Sequence, residues 1–488
     1  MLHIFYHITM YKNTLTDLLK TFSLKEIKDF REFLRSSYFN KRRAVTKLYE
    51  IISAYHPGYD SDLLTKESIF KKLFPDKIYN DSTLRVLIHY LTELAEKYLV
   101  VSKVENDKPE YSIQLQMALC SRKQYRLLEK NIKRSEDFLE KESPDAEDYY
   151  FYKYRLENEK IKFMYESNYS LYEKIINKPD WENVFRDFTN YYHVKSMIMY
   201  LNSLTIHRLY NQDFKSGAFT EMIGKIDPED YEDVPVIKIY YFILKMITDM
   251  DDDSYFYKVK ELIQEYKAVI NKFDLMGAYV YLNQYCIKKI SEGQTKFENE
   301  SFGIYKEELQ EKTYLMNDGT MAPVFYRNVV NTGLKLKELS WVKNFIHKYK
   351  TELSKRYRDN YFHYCLAQYE FCAGNYESSL ELNSKIKYDE LYMKLKSKTL
   401  EMQLLYETKA EESLLSSLEN FRHFLNNNNL IPAGPKLQYS NFHKYLNKIV
   451  LLKNRKNKSD AGLLLSKLLK DKEVMCKTWL SDKIMEIS

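Results

Sequence analysis

At 488 residues, with 44% hydrophobic and 30% charged, the chain is too long for one ordinary core and too apolar for disorder; two to four domains or one elongated repeat array follow. Eleven glycines and ten prolines are too few for sandwiches or doubly wound sheets, whose turns consume both, so an all-α chain is expected. The formal net charge is +6, and residues 1–125 alone hold 20 Lys+Arg against 15 Asp+Glu, an excess well short of a nucleic-acid footprint.

Residues 1–9 are mildly apolar and lack a basic n-region, so they read as an extension before a first helix, with Met10 as an alternative start. Residues 1–20 are taken as that extension, and 21–115 as an N-terminal helical domain. A helix over 24–34 opens at Ser23, with Glu26 completing a capping box. A second spans 44–55 before Pro57-Gly58, and a third spans 66–74 before Pro75. A fourth follows Asn80 and places Leu84, Leu87, Ile88, Leu91, Leu94 and Tyr98 on one face. Beyond it, Val100 to Glu105, the polar Asn106-Asp107-Lys108 and Tyr111 to Leu115 alternate in polarity. They read as a short β-hairpin or as a loop entering the next helix.

The order short helix, proline turn, long helix, hairpin over 66–115 resembles a winged helix-turn-helix domain. The run from Ile69 to Asp76 followed by Thr83 to Leu91 is similar to the recognition-helix region of some bacterial response regulators. That resemblance implies DNA binding through Arg85 and His89, and through Lys97, in the major groove, with Lys103 or Lys108 on the backbone. Glu93 and Glu96 would approach phosphates, and the competing expectation is a helical cap on a repeat array. A basic cluster of Lys41, Arg42, Arg43 and Lys47 is a further candidate anion contact.

From about residue 116 the pattern is helix, short polar turn, helix. Breaks fall at 143–145, 177–179, 227–228, 251–253, 317–319, 374–375 and 426–435. Helix pairs therefore recur every ~30–45 residues, the range of helical-hairpin repeats. Residues 116–430 are assigned to such repeats and 431–488 to a C-terminal helical cap. Within 360–382, Leu366 and Ala367, the turn Gly374-Asn375-Tyr376 and small Ser379 resemble a tetratricopeptide repeat, without its first-helix tryptophan or closing proline. Further pairs are expected at 322–354, where Trp341, Val342, Phe345, Ile346, Tyr349 and Leu353 stripe the second helix, and at 392–425. The chain is similar to uncharacterised bacterial helical-repeat proteins. The resemblance implies a right-handed superhelical array of antiparallel helix pairs and a protein or peptide partner, with no activity attached.

Sites of chemistry are not visible. No phosphate-binding glycine loop and no Gly-x-Ser-x-Gly elbow occurs. His3 and His7 lack a third ligand nearby. Asp249, Asp251 and Asp253 imitate the start of a calcium loop, but Ser254 stands at the glycine position and Lys260 at that of the bidentate glutamate. Cys365 and Cys372 read as free core thiols, and five scattered cysteines fit a reducing, cytoplasmic compartment. A second basic group, Lys453, Arg455, Lys456 and Lys458, reads as a solvated loop. No run of ~18 apolar residues occurs, so no membrane span is expected. Forty-five tyrosines suit half-buried helix seams or a binding surface. The expected function is a non-enzymatic scaffold without catalytic residue, metal or cofactor; the alternative is a DNA-binding regulator with a repeat sensor.

Overall fold

The computed structural model describes residues 13–59, 61, 63–142, 146–166, 181–210, 217–316, 318–388, 390–455 and 458–487. Among these there are 23 α-helices and no strand, only isolated bridges Leu315–Met321 and Met321–Leu353. The chain divides into two units, 1–143 with 151–184, and 144–150 with 185–488.

In the first unit, α1 (Thr14–Leu19), α2 (Leu24–Arg35), α3 (Arg43–Ser53) and α4 (Lys66–Leu73) pack on the long α5 (Asp81–Asn106). Ser23 and Glu26 form the expected capping box at the start of α2. Asn80 caps α5 by accepting from Thr83 N at 2.9 Å. Leu84, Leu87, Leu91, Leu94 and Tyr98 enter the core with Phe30, Tyr49 and Ile69.

Residues 100–115 are neither hairpin nor loop. α5 runs through Asn106, and α6 (Lys108–Ser121) begins two residues later. The physical reason is local. Asp107 accepts from Glu110 N at 3.1 Å, and Pro109 sits in the first turn of α6, where its missing N–H costs nothing. What reads as a hairpin turn is a helix N-cap. α7 (Tyr125–Glu142) then folds back on α6. Arg155, on α8 (Ala146–Glu166), pairs with Glu110.

The second unit follows α9 (Trp181–Tyr210) and α10 (Gly217–Ile223) with a run of hairpins. They are α11 (Pro235–Thr248) with α12 (Ser254–Tyr266), and α13 (Lys272–Ser291) with α14 (Lys296–Glu311). Then come α15 (Pro323–Lys335) with α16 (Leu339–Tyr349), α17 (Arg358–Cys372) with α18 (Tyr376–Ser384), and α19 (Leu391–Glu407) with α20 (Glu411–Asn427). α21 (Ala433–Arg455), α22 (Lys458–Lys470) and α23 (Lys477–Ile487) close it. First helices also touch the next first helix, as α15 does α17 and α17 does α19. Three core clusters share helices: α14 gives Phe297 and Ile304 to one and Tyr305 to the next, and α19 gives Leu400 and Leu404 to one and Leu395 and Met402 to another.

One turn recurs. After α6, α13, α15, α17 and α19, the residues Lys123, Gly293, Lys337, Gly374 and Lys409 are left-handed, with φ of 56°, 92°, 59°, 81° and 59°. In each, the following N–H bonds back to the carbonyl five residues earlier, at 3.0, 3.0, 3.0, 2.9 and 3.0 Å, and the left-handed residue's own N–H bonds to the carbonyl three earlier. This is the Schellman C-cap. In the second unit the four positions lie 44, 37 and 35 residues apart. The helical-hairpin period is thus present in the backbone even where the sequence disguises it.

Candidate functional site

The side chains that mark the tetratricopeptide resemblance come together in the α17–α18 hairpin. Gly374 makes the turn, Tyr376 packs on Phe371 with ring centroids 5.6 Å apart, and Leu366 is half-buried. Ala367 and Ser379 are fully buried, and Ser379 Oγ donates to Ala367 O at 2.7 Å. These residues hold the two helices of the hairpin together. Cys365 is buried as expected, but Cys372 is exposed, because it ends α17 at the open turn.

The N-terminal candidates are spread over two helices. Lys41 and Arg42 precede α3, and Arg43 and Lys47 lie on it; all four are exposed. Arg42 covers the Tyr90 ring at 4.6 Å. Arg85 pairs with Asp81 at 2.6 Å, and His89 stands 3.5 Å from Glu93. With carboxylates on both α5 candidates and helix through 100–115, the wing that would complete a DNA-reading surface is not formed. His3, His7, Met10 and Lys456 lie outside the described residues, as do breaks 143–145 and 177–179 and Asn317.

The acidic run after α11 is structural. Asp253 Oδ1 receives Lys289 at 2.7 Å and the Tyr285 hydroxyl at 2.7 Å, and its Oδ2 receives Lys296 at 2.6 Å. Burial pushes this carboxyl up, but the bonds from Lys289, Lys296 and Tyr285 outweigh it and hold the carboxyl well below the usual carboxylate range. Among the described residues, no group of three or more His, Cys, Asp or Glu side chains is placed to hold a metal ion.

An open surface recess lies between α14 and α16. A cavity of about 390 Å³ is lined by Lys306, Leu309 and Gln310 from α14 and by Trp341, Asn344, Phe345, Lys348 and Tyr349 from α16. Its floor is an aromatic ladder. Trp341 meets Phe302 edge-on at 4.9 Å, stacks on Phe345 at 5.4 Å, and Phe345 leads to Tyr349 at 4.9 Å. Its rim is cationic. Lys306 Nζ lies 4.1 Å from the Phe302 centroid and 5.6 Å from that of Trp341, and Lys348 Nζ lies 5.0 Å from that of Tyr349. Neither lysine pairs with a carboxylate among the described residues. Gly333 on α15 brings the ladder close: a Cβ there would stand 2.5 Å from Val342 Cγ2 and 3.2 Å from Phe302 Cε2.

The aromatic stripe is legible in sequence as a core face. That Trp341 and Tyr349 stay partly open, and meet Lys306 from another helix, requires the α14–α16 pairing, which crosses a 27-residue interval with no motif. No family model, curated protein or solved structure matches this chain.

Proposed function

We propose that the chain is a non-enzymatic interaction scaffold, a tetratricopeptide-like array in its second unit, that binds an extended acidic peptide segment in the α14–α16 groove. The observation that carries this reading is the aromatic ladder under two lysines without carboxylate partners, Lys306 and Lys348. Aromatic rings supply rigid contact area at low entropic cost. Both lysines are exposed, so their ammonium groups stay open to a carboxylate while their contacts with the rings hold them at the rim. Gln310 and Asn344 offer amides for a peptide backbone. The recurring hairpin turn supports the repeat reading, because stacked hairpins leave elongated grooves between neighbouring helices.

Selection of a displayed random-peptide library on the full chain tests this. Enrichment of acidic and aromatic residues, lost when the selection is repeated on K306E/K348E, is the expected result. Enrichment of basic peptides, or the same peptides on both proteins, would sink the reading. Mixed duplex DNA at about 50 and about 200 mM salt is the control for the regulator alternative, because phosphate contacts weaken steeply with salt.

A further inference from the structure

Helix α9 is apolar on two opposite faces. From Phe185 onward it belongs to the second unit. One face places Val194, Met197 and Leu201 in that unit's core. The other carries Phe185, Tyr192, Met199 and Ile206, spaced seven residues apart, with Phe188 between the first two. These five side chains are 42–71% exposed. A surface helix normally turns charged and polar residues outward, so an aromatic outer face of this length marks an interaction site.

The spacing points to the occupant. A seven-residue apolar repeat on one face is the pattern by which two helices wind around each other. Phe185, Tyr192, Met199 and Ile206 hold one seam position, and Phe188, Lys195 and Asn202 hold the other. Thr189, Ser196 and Ser203 keep the same period beside the seam, and all three are half-buried. Thr189 Oγ1 donates to Phe185 O at 2.8 Å and Ser203 Oγ to Tyr200 O at 2.6 Å, so both hydroxyls bond their own helix. These short, uncharged side chains let a second helix come close.

We infer that the outer face of α9 is a dimer interface that takes the same helix of a second copy of this chain, running antiparallel. A two-fold axis crossing between His193 and Val194 sets Phe185 against Asn202, Phe188 against Met199 and Tyr192 against Lys195 of the second copy. A thioether then meets one ring and an ammonium another, both favourable contacts. A parallel pair would instead set Lys195 against Lys195 of the second copy in one layer, where like charges repel. At ~200 Å² for a whole side chain of this size, the exposed parts of the five apolar residues come to roughly 500 Å² per copy. Two copies bury about 1,000 Å² through them, and the flanking residues bring this to the ~1,200 Å² at which specific interfaces begin. The face shares no residue with the α14–α16 groove and does not depend on it.

The test is analytical ultracentrifugation of the full chain from about 1 to about 100 µM, a range that brackets a micromolar dissociation constant. The wild type is expected to pass from monomer to dimer across it. Y192E/M199E changes only the outer face of α9, so it should keep the unfolding midpoint of the wild-type monomer and weaken the dimer by more than about 100-fold. Orientation is read by F188K/M199E against F188K/M199K. In the antiparallel pair the first sets unlike charges together in two layers and the second sets like charges together, so the first should dimerise more tightly. Equal dimerisation by the two overturns the antiparallel pairing. A wild type that stays monomeric at every concentration overturns the proposal, the face then belonging to a different protein. So does a dimer that Y192E/M199E leaves intact, since its interface lies elsewhere. K306E/K348E should dimerise like wild type, which separates failure of this face from failure of the groove.

Discussion

At the scale of single residues, this chain spends polar groups inside its cores. Tyrosine hydroxyls tie helices together: Tyr49 donates to Ile27 O at 2.7 Å and Tyr326 to Ile346 O at 2.6 Å. Glu308 is a carboxyl buried inside the second unit. Only 2% exposed, it accepts from Asn283 Nδ2 at 2.9 Å, and burial pushes its carboxyl up to about 8 against that hydrogen bond. The folded state therefore keeps a proton that the unfolded chain releases near 4.5. Stability from this group is full below pH ~4.5 and is lost as pH rises toward about 8. E308Q is expected to flatten that part of the stability–pH curve and to raise the denaturant midpoint at pH 8, read by urea unfolding across the range. Asp253 has the opposite sign. Its depressed carboxyl contributes stability above the ordinary aspartate range, and this is lost as pH falls below ~4. D253N leaves Lys289, 4% exposed at its side chain, without its partner and should cost on the order of 2–3 kcal/mol at neutral pH and little in acid. Sequence shows Asp253 as part of an acidic run in which Ser254 and Lys260 break the calcium pattern. Its true partners, Lys289 and Lys296, lie a helix away and carry no local signal.

At the scale of elements, the repeated Schellman turn is the device that makes the hairpins. Gly374 is visible in sequence because glycine is the expected occupant of a left-handed position. Lys337 and Lys409 are not, because lysine there is strained and gives no turn signal. K337G and K409G should each stabilise the chain by about 0.5–1 kcal/mol, and G374A should destabilise it by about 1 kcal/mol, measured from denaturant midpoints. Unchanged midpoints in all three variants would mean that the turns do not carry this strain. Capped starts such as Ser23 and Asn80 are legible for the same local reason. Residues 100–115 are not, because Asp107 and Pro109 serve equally as turn residues and as a helix start. α19 also hides its packing: it buries Met393, Leu395, Leu400 and Met402 toward two different clusters, so no single apolar face stands out.

At the scale of the whole molecule, helix content was readable from scarce glycine and proline, and the pairing of neighbouring helices over 322–354, 360–382 and 392–425 from the polar breaks, while the contacts between one pair and the next were not, since they join segments far apart in sequence. The groove is one such product. Lys306 and Trp341 lie 35 residues apart, and only the packing of α14 near α16 sets an ammonium over the ring. The central claim is that this groove binds acidic, aromatic segments. Its most direct test is fluorescence-anisotropy titration of a labelled peptide from the library selection against wild type and K306E/K348E, with equal unfolding midpoints confirmed for both proteins. The expected result is saturable binding by wild type that weakens as salt rises from about 50 to about 200 mM and is lost in the variant. Equal affinity for both proteins, or binding indifferent to salt, would contradict it.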